Sequence, residues 1–174
     1  MDFLENDRIL LRAVEPEDLE VLYRWENDSS IWIAGNTRAP YSRFQLKQYI
    51  ANSSSDIYES KQLRLMIVDK ISNMAVGTVD LFDFDIHHSR IALGLYVAPA
   101  NQGQGFAKNS LTLIENYVFN FLKINQLYAQ IAKSNVVSRK IFEKEYELHG
   151  ELKNWVKTPN GFDDILTFQR FRVN

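Results

Sequence analysis

At 174 residues with 45% hydrophobic content, the chain carries enough apolar material for one domain with a substantial core, and is too short for two ordinary ones. A formal net charge of −2 offers no general attraction to nucleic acid or an anionic membrane, and zero cysteines removes disulfides, thiolate nucleophiles and Cys-based metal sites together. With no signal-like start and no apolar run approaching about 18 residues, a single soluble, cytoplasmic domain over residues 1–174 is expected.

Residues 8–14 alternate well enough for a first strand. Glu15-Pro16-Glu17-Asp18 then opens a helix, because proline suits the first helical position and acids suit the dipole; Leu19, Leu22 and Tyr23 should face inward. Ser42 starts a second helix with Gln45 as capping-box partner, and Leu46, Tyr49 and Ile50 follow at helical spacing. Ser53-Ser54-Ser55-Asp56 is aperiodic and polar, which predicts a loop and the most mobile part of the chain. Strands are expected at 63–68, 75–84 and 91–97, with reversals at Ser72-Asn73 and His87-His88-Ser89, which makes an antiparallel meander. A helix over about 104–122 should pack Leu111, Ile114, Tyr117, Val118 and Phe121 on that sheet. A buried strand at 127–131 follows, then a helix capped by Asn135 that carries Ile141 and Phe142, and Pro159-Asn160-Gly161 joins two terminal strands.

The junction at 97–107, Val-Ala-Pro-Ala-Asn-Gln-Gly-Gln-Gly-Phe-Ala, is the most informative stretch. Gly103 and Gly105 let the backbone turn tightly and aim successive N–H groups at one spot, where the helix dipole adds its attraction for pyrophosphate. An ordinary strand-to-helix turn uses the same Gly-x-Gly spacing. A Walker loop fails, because Phe106, Ala107 and Lys108 stand where Gly-Lys-Ser/Thr is needed. A dinucleotide fingerprint fails as well, since Lys108 replaces its third small residue and the loop lies past the middle of the chain.

Four segments recur in a familiar order: Ile9-Leu10-Leu11-Arg12 before Glu17-Asp18-Leu19; Ala75-Val76-Gly77 with Val79-Asp80-Leu81; Gln102 to Ala107; and Asn135-x-x-Ser138 ahead of Glu143-Lys144. Through them the chain resembles, over nearly its whole length, the GNAT acetyltransferase superfamily. Bacterial spermidine N-acetyltransferases look closest, with ribosomal-protein alanine N-acetyltransferases as cousins. The resemblance implies an α/β (α+β) fold with a mixed, mostly antiparallel sheet of six to seven strands, splayed in the middle, and about four helices. It also implies acetyl-CoA as cofactor.

By that resemblance, Gln102, Gly103, Gln104, Gly105, Phe106 and Ala107 hold the pyrophosphate. Gln102 fits the spermidine-type variant, whereas Ala100 stands where the broader family often has Gln or Arg. Leu95, Tyr96 and Val97 offer main-chain groups to the pantetheine arm from the splayed strand, and an N–H there polarises the thioester carbonyl, which makes Tyr96 a catalytic candidate. Asn135 contacts the pantetheine region or serves as a helix cap alone. Ser138 is the other catalytic candidate, bonding the thiol or a water, or it merely occupies a first turn. Phe142 falls among the cofactor contacts where spermidine-type relatives carry a tyrosine general acid, and phenylalanine has no proton to give. Either the thiolate leaves unaided or through water, or Ser138, Tyr128 or Tyr146 substitutes, or catalysis has been lost. Glu145-Tyr146-Glu147 also lacks the Leu-Gly-Phe common in relatives.

For the acceptor, acids at Asp80, Asp83 and Asp85 in an apolar strand suit a cationic amine, with alternation placing Asp83 and Asp85 on one side and Asp80 on the other. Glu26, Asp28 and Trp32 are further substrate candidates. His87 and His88 have a suitable intrinsic pKa for a base, although such a pair also suits an exposed hairpin. No spacing resembles a metal-ligand set. The expected activity is acetyl-CoA-dependent N-acetylation by direct attack of a primary amine, with a small polyamine such as spermidine as acceptor. The alternatives are a peptide N-terminal α-amine and a non-catalytic CoA-binding protein. No nucleic-acid or membrane partner is expected, and exposed aromatic residues permit a homo-oligomer.

Overall fold

In the computed structural model, residues 3–32, 37–53 and 56–173 are described; Ser54 and Ser55 of the expected loop lie outside them. In chain order the elements are β1 (Ile9–Ala13), a 3₁₀ turn (Pro16–Asp18), α1 (Leu19–Glu26), α2 (Arg43–Asn52), α3 (Ile57–Ser60), β2 (Leu63–Asp69), β3 (Met74–Asp85) and β4 (Arg90–Val97). A 3₁₀ turn (Pro99–Asn101) then leads into α4 (Phe106–Asn116), which runs on as a π-helical turn (Tyr117–Phe121). β5 (Gln126–Ala132), α5 (Val136–Glu145), β6 (Glu147–Thr158) and β7 (Gly161–Phe171) complete the fold. The strands form one seven-stranded sheet in the order β1-β2-β3-β4-β5-β7-β6. Every neighbouring pair is antiparallel except β4 with β5.

Local chemistry sets the helix starts. Ser42 and Gln45 form the reciprocal capping box read from their spacing, with N–H to side-chain distances of 2.8 and 3.1 Å. Asp18 accepts both Arg12 Nη atoms at 2.7 and 2.8 Å, which ties β1 to the start of α1. Burial pushes its carboxyl up, but Arg12 and the Glu15 N–H outweigh burial and hold it below the usual carboxylate range.

Two cores flank the sheet. Leu65 and Ile67 of β2 join Ile9, Leu81, Ile114 and Phe168 on the face covered by α4. Met66 and Val68 join Leu22 and Ile50 on the face covered by α1 and α2. Cover on both faces explains why β2 reads as an unbroken apolar run. Toward β5 and β7 the sheet carries polar residues such as Gln126, Gln130 and Gln169.

The structure departs from the periodicity reading at four places. α4 begins at Phe106, two residues late, because Gly105 sits in a left-handed conformation as its cap. Phe121 is 58% exposed, and Leu122 is buried in its place. The cause is the π turn, where Leu122 N–H donates to Tyr117 O and the wider turn rotates later residues around the axis. Tyr23 is half-buried, capped by the Arg43 guanidinium 3.9 Å from its ring centre. α3, capped by Asp56, is too short to show a period. No helix among the described residues is long and apolar enough to cross a membrane.

Candidate active site

β4 and β5 are in register at Arg90↔Gln126, Ile91↔Leu127 and Ala92↔Tyr128 and part beyond Ala92. β5 instead pairs along its length with β7. The Ala98 N–H donates to Val76 O at 2.9 Å on the β3 side. Peptide groups alternate along a strand, so Tyr96, opposite Thr78, also turns its main chain to β3, while Leu95 and Val97 turn theirs into the gap. The register thus sorts the three predicted residues: Leu95 and Val97 offer main chain, and Tyr96 offers its side chain on the opposite face. Gly77 makes this possible, because a Cβ there would overlap the Tyr96 carbonyl.

The glycine turn closes one end of the gap. Gln102 Nε2 donates to the Val97 carbonyl at 3.0 Å, linking the turn to the strand. Gly103 and Gly105 have φ of 76° and 83°, which side chains with a Cβ rarely adopt. No heavy atom lies within 4 Å of a Cβ built on Gly103. α4 has no side-chain cap, and the N–H groups of residues 103–108 find no main-chain acceptor outside the turn among the described residues. Uncapped donors at the positive end of a helix, in open space, fit a diphosphate. Gln104 Nε2 bonds the Ala100 carbonyl, Ala107 is half-buried, and Lys108 is exposed. Phe106 is buried under Arg8, so its side chain anchors the first turn in the core while its N–H stays at the rim. The residues present therefore fit CoA: a main-chain cradle for the phosphates and a strand edge for the arm.

Asn135 caps α5 by accepting the Ser138 N–H at 3.2 Å, as its helix-cap reading expects, and that bond does not use its Nδ2. Asp163 accepts the Ser134 N–H at 3.1 Å and fixes the loop that carries Asn135. Ser138 is half-buried. Phe142 is buried, packed edge-on to Tyr146 and tilted against Phe168. Tyr146 enters β6 in an extended conformation, so this helix end needs no left-handed glycine. Its hydroxyl is buried beside the Glu115 carboxylate. Burial, with the Glu115 carboxylate nearby, pushes that phenol well up.

Opposite the donor edge, Trp25 packs on Tyr96 with ring centres 5.4 Å apart. Burial, then Asp28 and Glu26, push the Tyr96 phenol up. Trp32 Nε1 donates to the Glu26 carbonyl at 2.9 Å, so Glu26, Asp28, Trp32 and Tyr96 come together as one cluster. Asp83 has φ of 49° at a register break in β3, which ends the simple alternation expected there. Asp85 accepts the His88 N–H and pairs with Arg90. Burial, then Asp83, raise the Tyr128 phenol, so these acids belong to the closed end of the gap. His87 and His88 are exposed.

Sequence reasoning missed Arg64. Its guanidinium bonds Asp80 through Nε and Nη2 and Glu26 through Nη1, over the Tyr49 ring. Burial pulls this guanidinium down, but Asp80 and Glu26 raise it above its ordinary value. An arginine inside an apolar strand was the available signal; its partners, from α1 and β3, were invisible before folding. Among the described residues no group of three metal-ligating side chains forms.

Comparison with known proteins agrees with this geometry. The model of a family described as "Acetyltransferase (GNAT) domain" matches residues 8–145. A spermidine N(1)-acetyltransferase of Vibrio cholerae is 25% identical over 142 residues, covering 80% of this chain and 78% of that protein. The crystal structure of a spermidine N-acetyltransferase from Vibrio cholerae with CoA and spermine superposes with a TM-score of 0.84 at 22% identity, covering 96% of this chain and 97% of the other. A ribosomal-protein-S5-alanine acetyltransferase from Vibrio fischeri gives a TM-score of 0.83 at 15% identity, over 98% and 97% of the two chains.

Proposed function

The chain belongs to the GNAT acetyltransferase family and is an N-acetyltransferase, and from that premise we propose that it acetylates a primary amine of a small polyamine such as spermidine. Acetyl-CoA supplies the acetyl group as a thioester. The observation that carries the reading is the strand gap beside an uncapped helix N-terminus. The N–H groups from Gly103 to Lys108 hold the diphosphate, and Gln102 fixes the turn to Val97. Main-chain groups of Leu95 and Val97 orient the arm, and a preorganised N–H there stabilises charge on the carbonyl oxygen.

The attacking amine must be neutral, so the acceptor end has to hold an ammonium and then release its proton. Glu26 and Asp28 beside Tyr96 support the first task, and Asp83 and Asp85 beside Tyr128 suit a distant second ammonium. With no cysteine in the chain, attack is direct. Phe142 cannot protonate the departing sulfur, and the Tyr146 hydroxyl is buried, which leaves Ser138, Tyr128 or water to do so.

A peptide α-amine is the second reading, favoured by Arg64, which already neutralises part of the acidic cluster. Thiol release measured with spermidine and with short peptides separates the two. Turnover with spermidine is expected; rejection of every polyamine with turnover of peptides would transfer the assignment.

A further inference from the structure

We propose that Arg64 sets the acceptor preference of this site: by engaging Asp80 fully and Glu26 through one oxygen, it leaves the second Glu26 oxygen, with Asp28 nearby, to receive an ammonium group. The inference rests on the acetyltransferase reading and deepens it.

Arg64 on β2 stands opposite Asp80 on β3, which in turn stands opposite Gly94 on β4. Gly94 has no side chain, and a Cβ there would lie 3.5 Å from the Phe82 ring and 3.6 Å from Asp80 Cβ, so these two side chains border its position. Both Asp80 oxygens accept from Arg64, while Glu26 gives it Oε1 alone. No donor among the described residues bonds Glu26 Oε2. Glu26 is further held by its place at the end of α1, by the Trp32 indole on its carbonyl, and by Trp25 packed on Tyr96. The three side chains are 20 to 28% exposed, so the pairing is partly shielded from water and resists exchange better than a surface pair.

Within this trio two carboxylates and one guanidinium leave a single negative charge, and Asp28 beside Tyr96 adds a second. A first ammonium is drawn to these carboxylates, whereas a second cation close beside it would meet Arg64 as a repulsive neighbour. Arg64 is thus a positioning residue for Glu26 and a charge filter. A polyamine fits when its second cation lies well away from the first.

The test compares kcat and KM for mono-, di- and tricationic primary amines, with CoA affinity by calorimetry as control. Glu26→Gln is expected to raise amine KM about tenfold and to lower the preference for polycations, with CoA affinity unchanged. Arg64→Met adds local negative charge and should raise the tricationic-to-monocationic ratio of kcat/KM about tenfold. Because that variant leaves carboxylates unpaired in a half-buried place, Arg64→Met with Asp80→Asn is the stable check. There the ratio returns toward wild type while amine KM rises above the wild-type value, since Glu26 is no longer held. Unchanged amine KM in Glu26→Gln, or an equal loss for all amines in the arginine variants, overturns the assignment of Arg64. Absence of CoA binding in the wild type would instead overturn the acetyltransferase reading itself.

Discussion

The glycine turn at Gly103 and Gly105 and the ion trio of Glu26, Arg64 and Asp80 stand on different elements and are built from different material. The turn works through main chain: N–H groups, a helix end and an open strand edge. The trio works through long side chains from α1, β2 and β3 that meet only after folding. A main-chain site asks of the sequence only glycines at fixed places, so many sequences can keep it while side chains elsewhere drift to suit another acceptor. That contrast explains how relatives at 15 and 22% identity share this fold while their names point to different amines.

The strongest way to break the contrast is Gly77→Val. Its Cβ cannot coexist with the Tyr96 carbonyl, so β3 must move from β4, at a cost on the order of 2–3 kcal/mol. Loss of CoA binding by more than about 100-fold is expected, since Leu95 and Val97 shift with the strand. Calorimetry and a melting curve check both parts.

Gly105→Ala should act more mildly. A left-handed φ of 83° costs an alanine about 1–2 kcal/mol, and relief of that strain would re-aim the N–H groups. CoA affinity should fall about tenfold, the equivalent of about 1.4 kcal/mol, with amine KM little changed. An effect on amine KM alone would erase the distinction between the two regions.

Phe142→Tyr asks whether the missing general acid matters. The ring is buried against Tyr146 and Phe168, so the new hydroxyl has no ready partner and should destabilise the fold by about 1–3 kcal/mol. Turnover should change less than about threefold, with the same pH profile. A large gain in rate would mean that the position reaches the sulfur.

The smallest effect concerns the hairpin that supports the Asn135 loop. Asp164 accepts the Asn154 N–H and pairs with Lys153 and Lys133, which hold its carboxyl down to about 2. A depressed carboxylate contributes stability above its unfolded value of 3.8, and that contribution is lost as pH falls toward about 2. Asp164→Asn should therefore melt lower than wild type at neutral pH, and the gap should close across that acid window. A gap that is constant with pH would detach the effect from ionisation.

Much was legible before folding. The capping box at Ser42 and Gln45, the three-strand meander, the helix after the glycine turn and the cap at Asn135 all follow from local spacing, and local hydrogen bonds enforce them. The departure at Phe121 came from a π turn, where one extra residue per turn defeats a 3.6-residue period. The break at Asp83 came from a bulge, which shifts a two-residue alternation by one.

Short-range chemistry thus determined the elements and the donor cradle, because steric freedom at glycine and the orphan N–H groups of a helix start are properties of neighbouring residues. Tertiary structure alone decided where β4 leaves β5, which of Leu95, Tyr96 and Val97 faces the opening, and that Arg64 would bind Glu26 and Asp80. Those outcomes depend on strand order and on contacts between residues 16 and 38 positions apart, and no local pattern encodes such distances.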